Sequence, residues 1–397
     1  MKKKLMIIGA NWEKVPLIQK AKKLGHFVFV TDESKFAEGF KYADKFQVIN
    51  PRDLKKLLDV AKKYKPNGIT ADQCDYSHFA AVYIAKNLGL SNDGLTGAQL
   101  TTNKLWMREA CLKDHILQPR FLSAKNFQDV EIACELIGLP IILKPTDNRG
   151  SIGVNIVRRK NQLRKSFLDT MANSHSRNVI VEAFIEGTHI TVDGAFDQKG
   201  DHHNLAVASK KNMKGAKPVI TDVLYPANIN KNLEENIKKI NLRVVNALHL
   251  RSGLTHAEYI LDNKGRCFLV EMANRGGGVL TSSVIIKNYT GIDLSELIIK
   301  NALKEKFIFK TLNKKTKIIL KFLKFKSGKV KKISGLNEIK NIKNILFFKL
   351  LFEENYVLSQ PKSGAERHGF TIIKYNNKVQ LRETLKKIKS KLKLKYK

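Results

Sequence analysis

The sequence predicts a multidomain chain of mixed α/β and α+β class, on three observations. Its 397 residues exceed what one ordinary core organises, so two to four compact units are expected. Over the first hundred residues, short apolar runs alternate with amphipathic helical stretches, the pattern of a parallel, doubly wound sheet. Past residue 188, long strand-like runs follow one another, the pattern of antiparallel sheet. Hydrophobic residues make up 43% of the chain, with 20 Phe and 10 Tyr, so there is material for several cores and disorder is not the default.

The elements follow in order. "LMIIGA" reads as a buried strand. "VPLIQKAKKLG" sets Val15, Ile18, Ala21 and Leu24 on one helical face and stops at Gly25. "FVFVTD" is a second strand, "DLKKLLDVAKKY" a helix, "NGITAD" a strand and "FAAVYIAKNLGL" a helix. A second unit opens near Thr101 with the helical "TTNKLWMREACLKD". The strand "RFLSA", the helix "VEIACELIGLP" and the strand "IILKPTD" come next. After a glycine loop come "VNIVRR", a helix and "NVIVEAFIEG". Four long strands follow: "HITVDGAF", "LAVASKK", "SGLTHAEYIL" and "CFLVEMA". From about residue 310 a third pattern appears, with "KIILKFLKF", "FFKLLFEENYV" and "GFTIIKY". The tail "LRETLKKIKSKLKLKYK" reads as one helix with Leu381, Leu385, Ile388 and Leu392 on one face. That face suits docking on the domain better than contact with an anionic surface.

Lys+Arg number 72 against 36 Asp+Glu, a formal net charge of +36. Such a balance suits polyanions. The lysines, however, are spread along the whole chain, as on a solvated, lysine-biased surface, and no specific nucleic-acid partner is expected. Cys74, Cys111, Cys134 and Cys267 form no C-x-x-C and no zinc spacing. They read as small core residues, and their usage fits a reducing, cytoplasmic setting. The opening apolar run is interrupted at Asn11 and Glu13, too early for a signal peptide or a membrane span.

Three stretches carry chemistry. In "IILKPTDNRGSIGVNIV", residues 141–157, two β runs joined by a glycine loop predict a hairpin. Gly150 and Gly153 allow close backbone approach to a ligand. Lys144 lies among apolar strand residues, where an ammonium needs an anion; a phosphate would supply one. In "HAEYILDNKGRCFLVEMANRGGG", residues 256–278, Glu258 and Glu271 flank a hairpin turn and can face each other across paired strands. Two facing carboxylates repel unless a cation lies between them, and magnesium suits oxygen ligands. Asn274 adds a candidate oxygen ligand, and Arg275 can fork onto a phosphate or carboxylate. In "VIVEAFIEGTH", residues 179–189, Glu182 ends an apolar strand before a short linker. Such a linker can read adenine through its backbone, with the carboxylate taking the exocyclic amine. No G-x-x-x-x-G-K-[ST] and no G-x-G-x-x-G occur.

In this order the three stretches resemble the ATP-grasp superfamily over nearly the whole chain. The resemblance implies a Rossmann-like N-terminal domain (1–100) followed by an ATP-grasp fold (101–308). A small lid subdomain would span about 118–183, and a small C-terminal α+β domain would span 309–397. It implies ATP and Mg2+ as cofactors, with Mn2+ a substitute. Lys104 in "TTNKLWMRE" and Lys144 would bind phosphates, with Gly150, Ser151 and Gly153 in the loop over them. Glu182, Ala183 and Ile185 would serve adenine, with His189 where a ribose-binding acid often stands. Glu258 and Glu271 would hold metal, with Asn274 beside them, and Arg275 would act in catalysis. Ala273 occupies the position two after the second metal glutamate, where many members have Asn.

The activity so implied is ATP-dependent ligation of a small-molecule carboxylate to an amine through an acyl phosphate. The alternatives are phosphorylation of bicarbonate, as in biotin carboxylase-like members, and a basic RNA- or membrane-binding module without catalysis. Lys210, Lys211 and the segment "KKNMKGAKPVITD" are candidate substrate contacts. Homodimers are common in the family.

Overall fold

The computed structural model describes residues 2–148, 150–212, 219–310, 316–361 and 364–397, with only the backbone at Ala365. Four strands form the N-terminal sheet: β1 (Lys4–Ile8), β2 (Phe27–Asp32), β3 (Lys45–Val48) and β4 (Gly68–Thr70), in the order β3-β2-β1-β4. Every pair is parallel. After the exposed Lys4, β1 is apolar because both of its faces are covered. Leu5 and Ile7 pack with the helix Val15–Lys23, while Met6 and Ile8 pack with the helices Leu54–Tyr64 and Asp75–Asn87. The helix Leu54–Tyr64 is capped by Asp53, whose carboxylate accepts from Lys56 N at 3.0 Å. The helix Val15–Lys23 buries Leu17, Ile18 and Ala21.

A helix absent from the sequence reading, Leu95–Thr102, leads to Asn103. The Asn103 side chain accepts from Leu105 N and Trp106 N and starts the next helix, Lys104–Lys113. The asparagine of "TTNK" is thus a cap that puts Lys104 on the first helical turn.

A second sheet contains β5 (Phe121–Ala124), β6 (Ile141–Pro145), β7 (Asn155–Val157) and β8 (Val179–Ala183), in the antiparallel order β5-β8-β6-β7. The expected hairpin across the glycine loop is β6–β7. The helices Phe127–Ile137 and Leu163–Ala172 cover one face of this sheet.

The remaining strands are β9 (Thr188–Phe196), β10 (His202–Asn212), β11 (Ile220–Tyr225), β12 (Leu254–Leu261), β13 (Cys267–Ala273), β14 (Lys317–Phe322), β15 (Gly328–Ser334), β16 (Ile345–Leu350), β17 (Val357–Leu358), β18 (Gly369–Tyr375) and β19 (Lys393–Tyr396). Eight of them make one antiparallel sheet, β13-β12-β9-β10-β11-β14-β18-β16. The C-terminal segment therefore does not build its main sheet separately. β14 pairs along β11, with Asp222 opposite Lys321 and their side chains 2.7 Å apart. The small sheet β17-β15-β19 stands apart.

The helix Lys378–Lys391 docks as expected. Leu381, Leu385, Ile388 and Leu392 pack against Ile319, Phe348 and Ile373. The chain after it is not helical, however. "KLKY" alternates with period two and pairs as β19 with β15. The four cysteines are buried and free. Among the described residues no helix is long and apolar enough to cross a membrane.

One core joins the first and third units. Ile7 and Val30 of the N-terminal sheet belong to the same cluster as Leu297 and Ile298 of the helix Leu294–Ala302, and as Ile318 and Phe370 of the large sheet. This packing brings the carboxyl ends of β1 and β4 up to the loop after β13. Ligands commonly bind at that end of a doubly wound sheet.

Candidate active site

Lys144 and Glu182 lie on the adjacent strands β6 and β8 and are 8% and 1% exposed. The Lys144 ammonium meets Glu182 Oε2 at 2.5 Å, and Arg108 Nε meets Glu182 Oε1 at 2.9 Å. Arg108, itself 1% exposed, also donates through Nη2 to Val270 O at 2.8 Å. Burial alone would raise the Glu182 carboxyl, but Arg108 and Lys144 bring it down to about 2. The anion expected beside Lys144 is therefore this carboxylate. Both Glu182 oxygens are committed to cations, which corrects the expectation that its side chain takes an adenine amine. Glu182 instead holds Lys144 in place.

Lys104 opens the helix that carries Arg108, four residues on and on the same face. Its ammonium lies 3.1 Å from Glu271 Oε1 and donates to Asn148 O at 2.6 Å. Burial would lower it, but the charge and hydrogen bond of Glu271, with the charges of Asp75 and Glu182, together outweigh burial and its pKa is raised. Lys104 N also donates to Thr146 O at 2.8 Å, so helix and loop are tied twice. In the loop, Gly150 and Ser151 have φ of +63° and +60°. Gly153, at φ +72°, turns onto Asn173 and Pro145, where an added Cβ would come within 2.6 and 2.9 Å. It is a packing position and lines neither cavity described below. Arg149 lies outside the described residues.

Glu258 and Glu271 stand directly opposite each other in the β12–β13 pairing, beside a bulge at Glu258/Tyr259. Lys210 of β10 sits 2.7 Å from Glu258, and His256 Nε2 sits 3.7 Å from it. Burial would raise Glu258, but Lys210 and His256 hold it well below the usual carboxylate range. Behind it, Asp193 accepts from Tyr225 at 3.0 Å and pairs with His256 Nδ1 at 2.7 Å. This fixes the imidazole from its far side. Of the candidate substrate segment, Lys210 faces the site, and residues 213–218 lie outside the described residues.

Asn274 does not join the carboxylates. Side chains alternate along β13, so Glu271 and Ala273 share a face and Asn274 falls on the other. Asn274 is 1% exposed, and its amide donates to the carbonyls of Ser252 and Leu254 at 3.0 and 3.1 Å. Arg275 does reach the site. Asp75 holds it through Nε and Nη2 at 3.0 and 3.2 Å, leaving Nη1 on Gly276 O at 3.1 Å. Burial lowers Arg275, but Asp75 more than offsets it and the pKa is raised. Two more N-terminal acids grip this loop: Asp72 accepts from Gly276 N at 2.9 Å and Glu13 from Val279 N at 2.6 Å.

Two cavities adjoin here. The first, about 140 Å³, lies between the second sheet and the large sheet. It is lined by Lys104, Lys144, Glu182, Ala183, Ile185, His189, Glu258 and Glu271, with apolar walls from Ile142, Ile152, Val154 and Ile260. The second, about 230 Å³, is lined by Lys210, Tyr225, His256, Arg275 and Arg367 and shares Gly150, Ser151, Ile220, Glu258 and Glu271 with the first. The paired carboxylates are thus the common wall. Ala183 N is used by Arg120 O at 2.9 Å, whereas Ile185 N has no partner among the described residues. His189 is held below its ordinary pKa, chiefly by burial, so its imidazole is neutral.

This arrangement fits a nucleoside triphosphate, with apolar faces for a base, an open N–H at the linker and ammonium groups near the shared wall. Among the described residues no three His, Cys, Asp or Glu cluster as metal ligands. Two oxygen-donor carboxylates fit a hard divalent ion such as Mg2+, whose other ligands come from phosphate and water.

Sequence reasoning missed Arg108, Asp193, His256, Asp72 and Asp75 as parts of the site. The spacing of Arg108 from Lys104 and the position of "TADQCD" after β4 were the available signals.

The family profile described as "ATP-grasp domain" matches residues 137–283. The chain is 27% identical over 194 residues to the formate-dependent phosphoribosylglycinamide formyltransferase of Prochlorococcus marinus strain MIT 9515, covering 47% of this chain and 48% of that one. It is 27% identical over 219 residues to the D-alanine--D-alanine ligase of Buchnera aphidicola, covering 53% and 70%. In its first matches the chain spans about half the length of the curated relatives. The L-amino acid ligase from Bacillus licheniformis superimposes with a TM-score of 0.84 at 21% identity, covering 100% of this chain and 99% of that one, and so shares the fold. Residues 137–283 thus match an ATP-grasp domain, and the whole chain shares the fold of this solved structure.

Proposed function

We propose that this protein is an ATP-dependent ligase that activates a small-molecule carboxylate as an acyl phosphate and joins it to an amine, releasing ADP and phosphate. One observation carries the reading. A cavity suited to a nucleotide and a second cavity suited to a small substrate adjoin at Glu258 and Glu271. A phosphoryl group at that wall is within reach of ligands in both cavities.

In this reading Lys104 and Lys144 neutralise the nucleotide phosphates. The backbone at Ala183 and Ile185 receives adenine, and His189 bonds a ribose hydroxyl. Glu258 and Glu271 would hold Mg2+, which when bound offsets phosphate charge. Lys210 and Lys104 occupy those carboxylates here and would give way as phosphates bind. A substrate carboxylate oxygen attacks the γ-phosphorus and the bond to ADP breaks. The amine then attacks the acyl carbon, phosphate leaves with the bonding pair, and the amine loses its proton to the medium. Arg275, fixed by Asp75, faces the transferring group. The loop at 147–153 covers the phosphates and keeps water from the acyl phosphate. The relatives named as ligases support the carboxylate–amine chemistry.

The test is ADP release with panels of carboxylates and amines, with bicarbonate as a separate arm. Release that requires a carboxylate and an amine together supports ligation. Release driven by bicarbonate alone overturns it in favour of a carboxylase.

A further inference from the structure

The second cavity contains three described cations, and two have carboxylate partners: Lys210 with Glu258 at 2.7 Å and Arg275 with Asp75 at 3.0 Å. Arg367 has none among the described residues. It enters from the segment before β18, and its guanidinium carbon lies 3.8 Å from the centroid of the Phe322 ring. Among the described residues only its Nε is bonded, to Gly364 O at 2.7 Å, which leaves most of its donors open to them. Desolvation brings the guanidinium down to about 10, with Glu13 and Glu258 opposing, so it stays cationic at neutral pH. A cation drawn out of water without a direct ion-pair partner is unfavourable unless a ligand brings an anion.

The lining of this cavity includes the apolar Phe322, Leu320, Val223, Ile220 and Val279, with Phe322 against Arg367. Glu258 and Glu271 line the boundary shared with the first cavity.

We propose that Arg367 is a specificity-determining residue that holds the non-reacting anionic group of an amphipathic amine substrate, an α-amino acid with an apolar side chain, against the Phe322 wall. This rests on the ligase reading above. It assigns that substrate's body to the C-terminal segment, so that β14 and the residues before β18 read the substrate while the shared wall performs the chemistry. A phosphate monoester offers similar anionic chemistry, and the choice of probes separates the two.

The test measures binding to the full chain by calorimetry, with and without MgADP, using leucine, phenylalanine, leucinamide and O-phosphoethanolamine. ADP release with MgATP is measured in parallel. Leucine or phenylalanine should bind, and leucinamide should bind about tenfold or more weakly because it lacks the anion. Arg367→Met should weaken the amino acid by a similar factor and leave MgADP affinity unchanged. Arg367→Lys, which keeps the charge and guards against a folding defect, should restore part of the loss. Equal binding of leucine to the parent and Arg367→Met, or no amino-acid binding to the parent, overturns the proposal. Tighter, Arg367-dependent binding of O-phosphoethanolamine overturns the apolar substrate class. Arg367-dependent leucine binding with no ADP release when leucine is combined with the panel of carboxylates upholds this inference and refutes the ligase reading.

Discussion

Replacing Glu182 with Gln removes the charge that two buried cations share. The magnitude follows from the structure in two ways. First, the Glu182 carboxyl is lowered from 4.5 to about 2, and at 1.36 kcal/mol per pKa unit that corresponds to about 3 kcal/mol of folding free energy at neutral pH. Second, breaking a buried ion pair by removing one partner typically costs about 3–5 kcal/mol, since the remaining charge is left without compensation. The two routes agree on about 3–5 kcal/mol. The pH dependence follows from the direction of the shift. A lowered carboxyl stabilises fully above its unfolded value of 4.5, and the contribution is lost as pH falls toward 2. Urea denaturation of parent and Glu182→Gln at several pH values reads both. The difference should be about 3 kcal/mol or more at pH 7 and should shrink steadily below pH 4.5. A variant within about 1 kcal/mol of the parent at pH 7, or a difference independent of pH, would refute the claim that Glu182 anchors Lys144 and Arg108.

Other outcomes are expected. Gly276→Ala places a Cβ 2.5 Å from Ser282 Cβ and 2.7 Å from Asp72 Oδ1, so it should destabilise the chain by about 1–3 kcal/mol, readable as a lowered Tm. Gly150→Ala meets no atom of the described residues within 4 Å but keeps a φ of +63°, so its milder penalty of about 1 kcal/mol is backbone strain. Ile388→Ala should cost about 2–5 kcal/mol and expose the C-terminal helix to proteolysis, because Ile388 is 4% exposed in the core beneath that helix. A helix that merely touched an anionic surface would tolerate the change.

Local patterns made much of the architecture legible. The alternating first hundred residues, the β6–β7 hairpin and the β12–β13 pairing follow from periodicity and turn residues, which act over a few positions. The pairing of Glu258 with Glu271, by contrast, needs the bulge at Glu258/Tyr259, because the register set at the turn would carry Glu258 to Val270. Alternation from Glu271 then sets Asn274 on the other face. What sequence could not supply were partners brought together from far away. Arg108 finds Glu182 across 74 residues, and Arg275 finds Asp75 across 200. The merging of β14, β16 and β18 into the large sheet depends likewise on which edge β11 leaves open. Glu182 is instructive because its position was read correctly and its chemistry was not. An apolar strand carrying a lone glutamate signals a buried charge, but only the fold shows that the charge is already paired.

At the centre of the proposed function, Glu258 and Glu271 would hold one divalent ion between a nucleotide and a neighbouring substrate. Calorimetric titration of ATP into the full chain, with magnesium and with EDTA, tests it most directly when repeated with Glu271→Gln. One site per chain that requires magnesium in the parent, and is weakened about tenfold or more in Glu271→Gln, is the predicted result. Magnesium-independent binding, or equal affinity in the variant, would contradict it.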